Sequence, residues 1–344
     1  MHKHILLIVL AILCCSSTVR SEEEYCQQKI DELFVAGQRC PAYASIRNGK
    51  MVNPDDLVLE AGRKYGAHEL LSLDRDFDPQ EQWVYVHVPE RYPTQYRNRW
   101  VRRMCGSLQK FPYDNNGQKT GRWDKFVLSL SWLPGQCMKY SEYKRPECIY
   151  SIPLDYSATN FVFQEFRPED SDNKAYNFCG TQKDNLEKYS KCKFPEVACV
   201  SCGFDKFNDV IPSIYWKSCM ERSAWYKHGT CTFWTPEQYF TIAANLVRQF
   251  NKSGISGFMQ KNIGTEIDSN SLMNEIKNHY GEEAGQHISL QCEKIDEELL
   301  LIGLEIYLPG HIEIGDNLKE LIEEAPNKPK KETHCKGKIK ISAF

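Results

Sequence analysis

The sequence predicts an α+β fold tied together by disulfides, and three observations carry that expectation. Strand-like runs with one apolar side are separated by a block of helical segments instead of alternating with them one by one. The start of one helix is fully spelled out in Thr235-Pro236-Glu237-Gln238, a Thr cap, a Pro at the first helical position and a Gln that completes a capping box. Finally, fifteen cysteines are spread along 344 residues whose 41% hydrophobic content is enough for a real core.

The chain opens with Met1-His2-Lys3-His4 and an apolar run of eleven residues, Ile5 to Cys15. That run is too short to span a bilayer and has the layout of a secretory signal over residues 1–21, cut near Val19-Arg20-Ser21. No later segment has eighteen apolar residues in a row, so no membrane span is expected and the mature protein is expected outside the cell or in a lumen of the secretory pathway. Removing Lys3 and Arg20 moves the net charge from −3 to about −5, so bulk charge gives no sign of nucleic-acid binding. The thirteen cysteines beyond the signal read as a disulfide framework with one thiol left over. Cys192, Cys199 and Cys202 have spacing that suggests zinc, but a tetrahedral site needs a fourth ligand and no His stands near. Asn251-Lys252-Ser253 is the single glycosylation sequon and is compatible with export.

Residues 22–120 form an N-terminal extension without a catalytic constellation. Asp55 to Leu71 carries helical patterning, and Trp83 to Val88 reads as a strand. Five arginines between Arg91 and Arg103 interleave with Tyr92, Tyr96 and Trp100, either a solvated helix face or a grip on a single strand. Asp114 to Gly121 is rich in turn formers and marks a boundary, leaving residues 121–344 as the second domain. There Phe126 to Trp132 and Phe161 to Phe166 read as strands. On strict alternation Glu165 shares a face with Phe161 and Phe163, and Gln164 lies on the other. A helix follows Thr235, another spans Ser271 to Tyr280, and the runs 288–292, 299–308 and 336–341 read as strands.

The chemistry is concentrated in Trp225-Tyr226-Lys227-His228-Gly229-Thr230-Cys231. An imidazole beside an ammonium can handle a proton and a developing oxyanion in one place; equally, His-Gly-Thr can be a turn after a helix. This stretch, with the strand Phe126 to Cys137 before it, resembles the ribonuclease T2 family. Members run a strand into Trp-Pro and a cysteine, then a strand Phe-x-Ile-His-Gly-Leu-Trp-Pro, then a helical His-Glu-Trp-x-Lys-His-Gly-Thr-Cys. Residues 225–231 reproduce the end of the last motif, and the terminal Gln291-Cys292 and Cys335 also recur. Over residues 121–344 the resemblance implies a central antiparallel sheet with flanking helices. It also implies the disulfides Cys137–Cys148, Cys179–Cys231 and Cys292–Cys335.

The family's activity, by resemblance, is endonucleolytic cleavage of RNA through a 2′,3′-cyclic phosphate, with His as base and acid, Lys and Glu assisting, and no metal or cofactor. His228 and Lys227 match that machinery. Gln164 stands where the other central His belongs, Ala224 where the Glu belongs and Ser223 where a further His belongs, while Glu165 and Arg167 replace a Gly and a Trp. Gln cannot exchange a proton near neutral pH, and acid-base groups contribute about 10²–10⁴-fold each. The expectation is therefore a pseudoenzyme, a T2-like protein with catalysis lost or strongly reduced. Its cleft would hold single-stranded RNA or another phosphorylated ligand through Lys227, His228, Trp225 and Arg167. Two alternatives stand beside it. One is a weak endoribonuclease that pairs His228 with Glu165; the other is an interaction protein whose partner binds residues 22–120.

Overall fold

The computed structural model describes residues 26–46, 50–72, 82–89, 96–114, 116–121, 123–141, 145–153, 155–180, 191–197, 203–327 and 335–344. The expected signal segment, Cys199 and Cys202 lie outside the described residues. No described helix is long and apolar enough to cross a membrane.

The N-terminal residues build a sheet. Its strands are β1 (Cys26–Ala36), β2 (Cys40–Pro41), β3 (Val58–Leu59), β4 (Lys64–Ser72), β5 (Gln82–Pro89), β6 (Tyr96–Arg102) and β7 (Gly106–Lys110). Five of them run antiparallel in the order β6-β5-β4-β1-β7, and β2 pairs with β3. Two expectations fail here. Asp55 to Leu71 holds β3, a turn and most of β4 and no helix, because Tyr65, Ala67 and Leu70 join Phe34, Val84 and Val86 in a core of their own, with a register shift at His68. The described part of the arginine-rich run, Tyr96–Arg102, is an edge strand, not a helix face: Arg99 and Arg97 both close on Asp55, and Arg102 lies 4.2 Å over the Trp83 ring. Cys40–Cys105 staples this sheet.

The rest of the chain follows as β8 (Lys125–Ser131), α1 (Leu133–Lys139), α2 (Pro146–Tyr150), α3 (Tyr156–Thr159), β9 (Val162–Glu169), α4 (Pro212–Trp216) and α5 (Met220–Lys227). Then come α6 (Pro236–Phe250), α7 (Ser256–Asn262), β10 (Glu266–Asp268), α8 (Ser269–Tyr280) and α9 (Ala284–His287). The chain ends through β11 (Ile288–Ile295), β12 (Glu298–Pro309), α10 (Leu318–Glu323) and β13 (Lys338–Lys340). The sheet order is β10-β13-β12-β8-β9, with β11 also on β12; every pairing is antiparallel except β12 with β13. This is the α+β arrangement expected, with the capping box at Thr235 formed in both directions. One face of the sheet is apolar: Phe126, Leu128, Leu130, Phe163, Phe166, Leu304 and Ile306 pack with Tyr239, Phe240, Ala243 and Val247 of α6.

The structure bonds Cys137 to Cys148, Cys179 to Cys231 and Cys292 to Cys335, and adds Cys192–Cys219, so Cys192 is committed to sulfur and not to a metal. The sequon at Asn251 is a second correction. Its side chain is buried; its amide nitrogen donates to the Phe161 carbonyl at 2.8 Å and the Tyr156 hydroxyl at 3.0 Å, and its oxygen accepts from the Phe161 N–H. A glycan on that nitrogen would replace one of its two N–H groups, break at least one of the donations and have to occupy a buried position. Asn251 is a structural residue that ties the end of α6 to the entry of β9.

The two cores meet around the segment that follows the Lys227-His228 motif. Arg63 makes a bidentate pair with Glu313, the Lys64 N–H donates to the Phe233 carbonyl at 3.1 Å, and the Phe111 and Phe233 rings stand 6.3 Å apart. The N-terminal sheet is thus braced against the start of α6, which positions the site.

Candidate active site

His228 ends α5 and is only 1% exposed. Its Nδ1–H donates to the Tyr176 carbonyl at 3.1 Å, leaving Nε2 as the titrating nitrogen. Across from it stands Glu165 of β9, with Oε2 3.4 Å from Nε2 and 3.6 Å from Lys227 Nζ. The first of these is an ion-pair contact and not an aligned hydrogen bond. The other carboxylate oxygen of Glu165 accepts from Arg167 at 2.7 Å.

Strict alternation would turn Glu165 away, and the structure corrects that expectation. Ser129 of β8 pairs with Glu165 while the next residue, Leu130, pairs with Phe163, so Gln164 is the extra residue of a β-bulge. The bulge shifts the phase of the strand. Phe163 and Phe166 both reach the apolar core, while Glu165 and Arg167 join Ser129 and Glu305 on the polar face.

Arg167 holds that face together. It donates to Glu165, to Glu169 at 2.9 Å, to Glu305 at 2.7 Å and to the Ser129 hydroxyl at 2.9 Å. Burial would weaken its charge, but the Glu305, Glu165 and Glu169 carboxylates outweigh that and raise its pKa. Burial likewise pushes Glu165 up; contact with His228 and the charges of Lys227 and Arg167 win, holding it well below the ordinary carboxylate range. Burial pushes His228 down, and although Glu165 pulls it back, its pKa stays below the ordinary value. The state these directions describe is an ionised Glu165 fixed by the neighbouring cations.

The other expected site residues distribute unevenly. Lys227, His228, Glu165 and Arg167 are brought together, but Arg167 is committed to carboxylates and is not presented to a ligand. Trp225 packs edge-on to Tyr239 at 5.6 Å and against Gly229, where any Cβ would collide with the indole. It is partly buried and packs against the core. Ala224 is buried in the core, so the position of the family's carboxylate faces apolar side chains. Gln164 lines a cavity of about 150 Å³ with Ser131, Gln136, Arg145, Glu147 and Ser213. Sequence reasoning missed Ser129, Glu169 and Glu305. The last two were legible as carboxylates within otherwise apolar strand termini, but only the sheet pairing aims them at Arg167.

Comparison with known proteins places this arrangement. The profile described as the Ribonuclease T2 family matches residues 123–320, more than half of the chain, and the chain belongs to that family. It is 24% identical over 190 residues to Ribonuclease I of Escherichia coli (strain K12), covering 50% of this chain and 71% of the relative. Among solved structures it is similar to the Nicotiana alata self-incompatibility associated SF11-RNase, at TM-score 0.44 and 13% identity over 64% of this chain and 99% of that one. Human RNase T2 is also similar, at TM-score 0.37 and 15% identity over 63% of this chain and 97% of that one.

Proposed function

We propose that this chain is a secreted T2-family protein that binds single-stranded RNA and cleaves it very slowly. The observation that carries the reading is the Glu165 carboxylate held between His228, Lys227 and Arg167. A scissile phosphate needs the Lys227 and Arg167 cations and the His228 imidazole, and an internal anion already occupies them in a buried setting, where the charge it replaces would be costly to strip of partners. His228 is sealed behind the carboxylate, and the bulged residue, Gln164, cannot carry a proton. The cavity beside Gln164 is open to a base, with amide and hydroxyl groups, Arg145 and the Glu147 carboxylate that can read its edge.

The test is incubation of the purified protein with single-stranded RNA, with Ribonuclease I alongside. The reading expects RNA binding, with cyclic-phosphate products forming at least about 100-fold more slowly than in the comparator. Product formation at a comparable rate, abolished by His228→Ala, would overturn it.

A second reading is favoured by one distance, the 3.4 Å between Glu165 and His228. In it the pair exchanges a proton and supports slow cleavage, giving a carboxylate-like limb in the pH-rate profile. Glu165→Gln would then lower the residual rate; an unchanged or raised rate removes this version.

A further inference from the structure

The cavity beside Gln164 is walled by two short helices, α2 through Glu147 and α4 through Pro212 and Ser213. Both helices continue past the cavity into solvent, and three residues on, about one helical turn or 5 Å, each carries an aromatic ring. From Glu147 that ring is Tyr150, and from Ser213 it is Trp216. The two rings stack on each other with centroids 5.9 Å apart and planes 25° from parallel, and Tyr215 abuts Trp216 edge-on at 4.8 Å.

This pair is not hidden. Tyr150 is 62% exposed and Trp216 is half-buried, and neither ring belongs to the buried core. Isolated exposed aromatics are ordinary on a protein surface; a stacked pair shared by both walls of one cavity is a formed surface. A flat aromatic stack at the surface favours another flat π-system, and nucleobases meet that need whatever their sequence. The cation required for the intervening phosphate is at hand in the exposed Lys217, which follows Trp216 directly. The exposed apolar groups of this surface are Ile149, Tyr150, Ile152 and Tyr215, and stacked rings beside a lysine match the base-and-phosphate chemistry of a nucleotide.

We infer that Tyr150 and Trp216 form a stacking platform for one further nucleotide of single-stranded RNA, adjoining the cavity at Gln164. The inference rests on the RNA-binding reading above. It predicts that affinity rises with length beyond a dinucleotide and that the rise depends on these rings. Each base stacked on an aromatic side chain strengthens binding by roughly tenfold or more.

The experiment measures binding of 2′-O-methyl oligouridylates of two and six residues to the full protein by fluorescence anisotropy. These probes lack the 2′-hydroxyl that cleavage would use. The expected result is a ratio of hexanucleotide to dinucleotide affinity that falls about tenfold in Tyr150→Ala and in Trp216→Ala and is restored in Tyr150→Phe and Trp216→Phe. Wild-type binding with a ratio unmoved by the Ala variants overturns the platform and leaves the cavity reading standing. Failure of the Phe variants to restore the ratio overturns it as well. If the wild-type protein binds neither length, both the platform and the RNA-binding reading are wrong.

Discussion

Gln164 and Glu165 are neighbours in one bulged strand, yet the two ends of the site they serve are built oppositely. At the Glu165 end the charges meet one another: Lys227 and Arg167 close on the carboxylate beside the His228 imidazole, and Arg167 carries that pairing on to Glu169 and Glu305. At the Gln164 end the cavity is left open, lined by amides and hydroxyls together with Arg145 and the buried Glu147, one of whose oxygens has no hydrogen-bond partner among the described residues. The difference follows from what burial costs: the ionic cluster under the surface is satisfied internally, whereas groups on the wall of an open cavity can be met by solvent until a ligand arrives.

The largest effect is expected from reversing that asymmetry. In Gln164→His with Glu165→Gly, the open end gains a proton carrier and the ionic end loses its internal anion. Cyclic-phosphate formation from single-stranded RNA should rise by about 100-fold or more over the unmodified protein. No increase would show that Glu165 is not what holds activity down.

Next in size is Arg167→Met, which strands three mostly buried carboxylates. Removing the shared partner of such a cluster typically costs about 3–5 kcal/mol, read as a lower urea midpoint. A loss below about 1 kcal/mol would mean that the carboxylates find water or protonate without strain.

Acid should act on the same end. The folded pKa of Glu165 lies below its ordinary 4.5, so the unfolded chain takes up the proton first and stability falls as pH drops below about 4.5. His228 lies below its ordinary 6.5, so its contribution is lost in the same direction, beginning about two pH units higher. Urea midpoints should therefore decrease from pH 7 to pH 5 and again to pH 3, and Glu165→Gln should flatten the lower step. Flat midpoints over that range would contradict the buried, ionised state.

The smallest effect concerns a residue outside both ends. Asn251→Ala should cost about 1–3 kcal/mol in urea unfolding, because it leaves the Phe161 backbone groups without their partner. The intact mass of the protein produced through a secretory pathway should be unchanged by endoglycosidase treatment.

Much of this site could be read before any coordinates. His228 and Lys227 sit in a seven-residue motif, and Gln164 and Ala224 are the positions at which the sequence reading expects a departure from the family pattern. Even the bulge left a trace, because Phe161, Phe163 and Phe166 are spaced by two and then three residues, which a strand with one buried face does only when it carries an extra residue. The N-terminal sheet was less legible. Its aromatic and arginine-rich strands mimic an amphipathic helix, and a register shift at His68 breaks the period of two that identifies a strand.

Residue order alone determined the α+β class, the family motif and the chemical types available at each position, since these depend on local pattern and composition. Tertiary structure alone decided that Glu165 meets His228, that Arg167 is consumed by carboxylates, that Asn251 is a buried tie and that Trp225 packs against the core. The physical reason is the same in each case. Charge pairing and burial depend on which strand lies beside which, and a single unpaired residue in β9 is enough to turn a carboxylate toward a buried histidine.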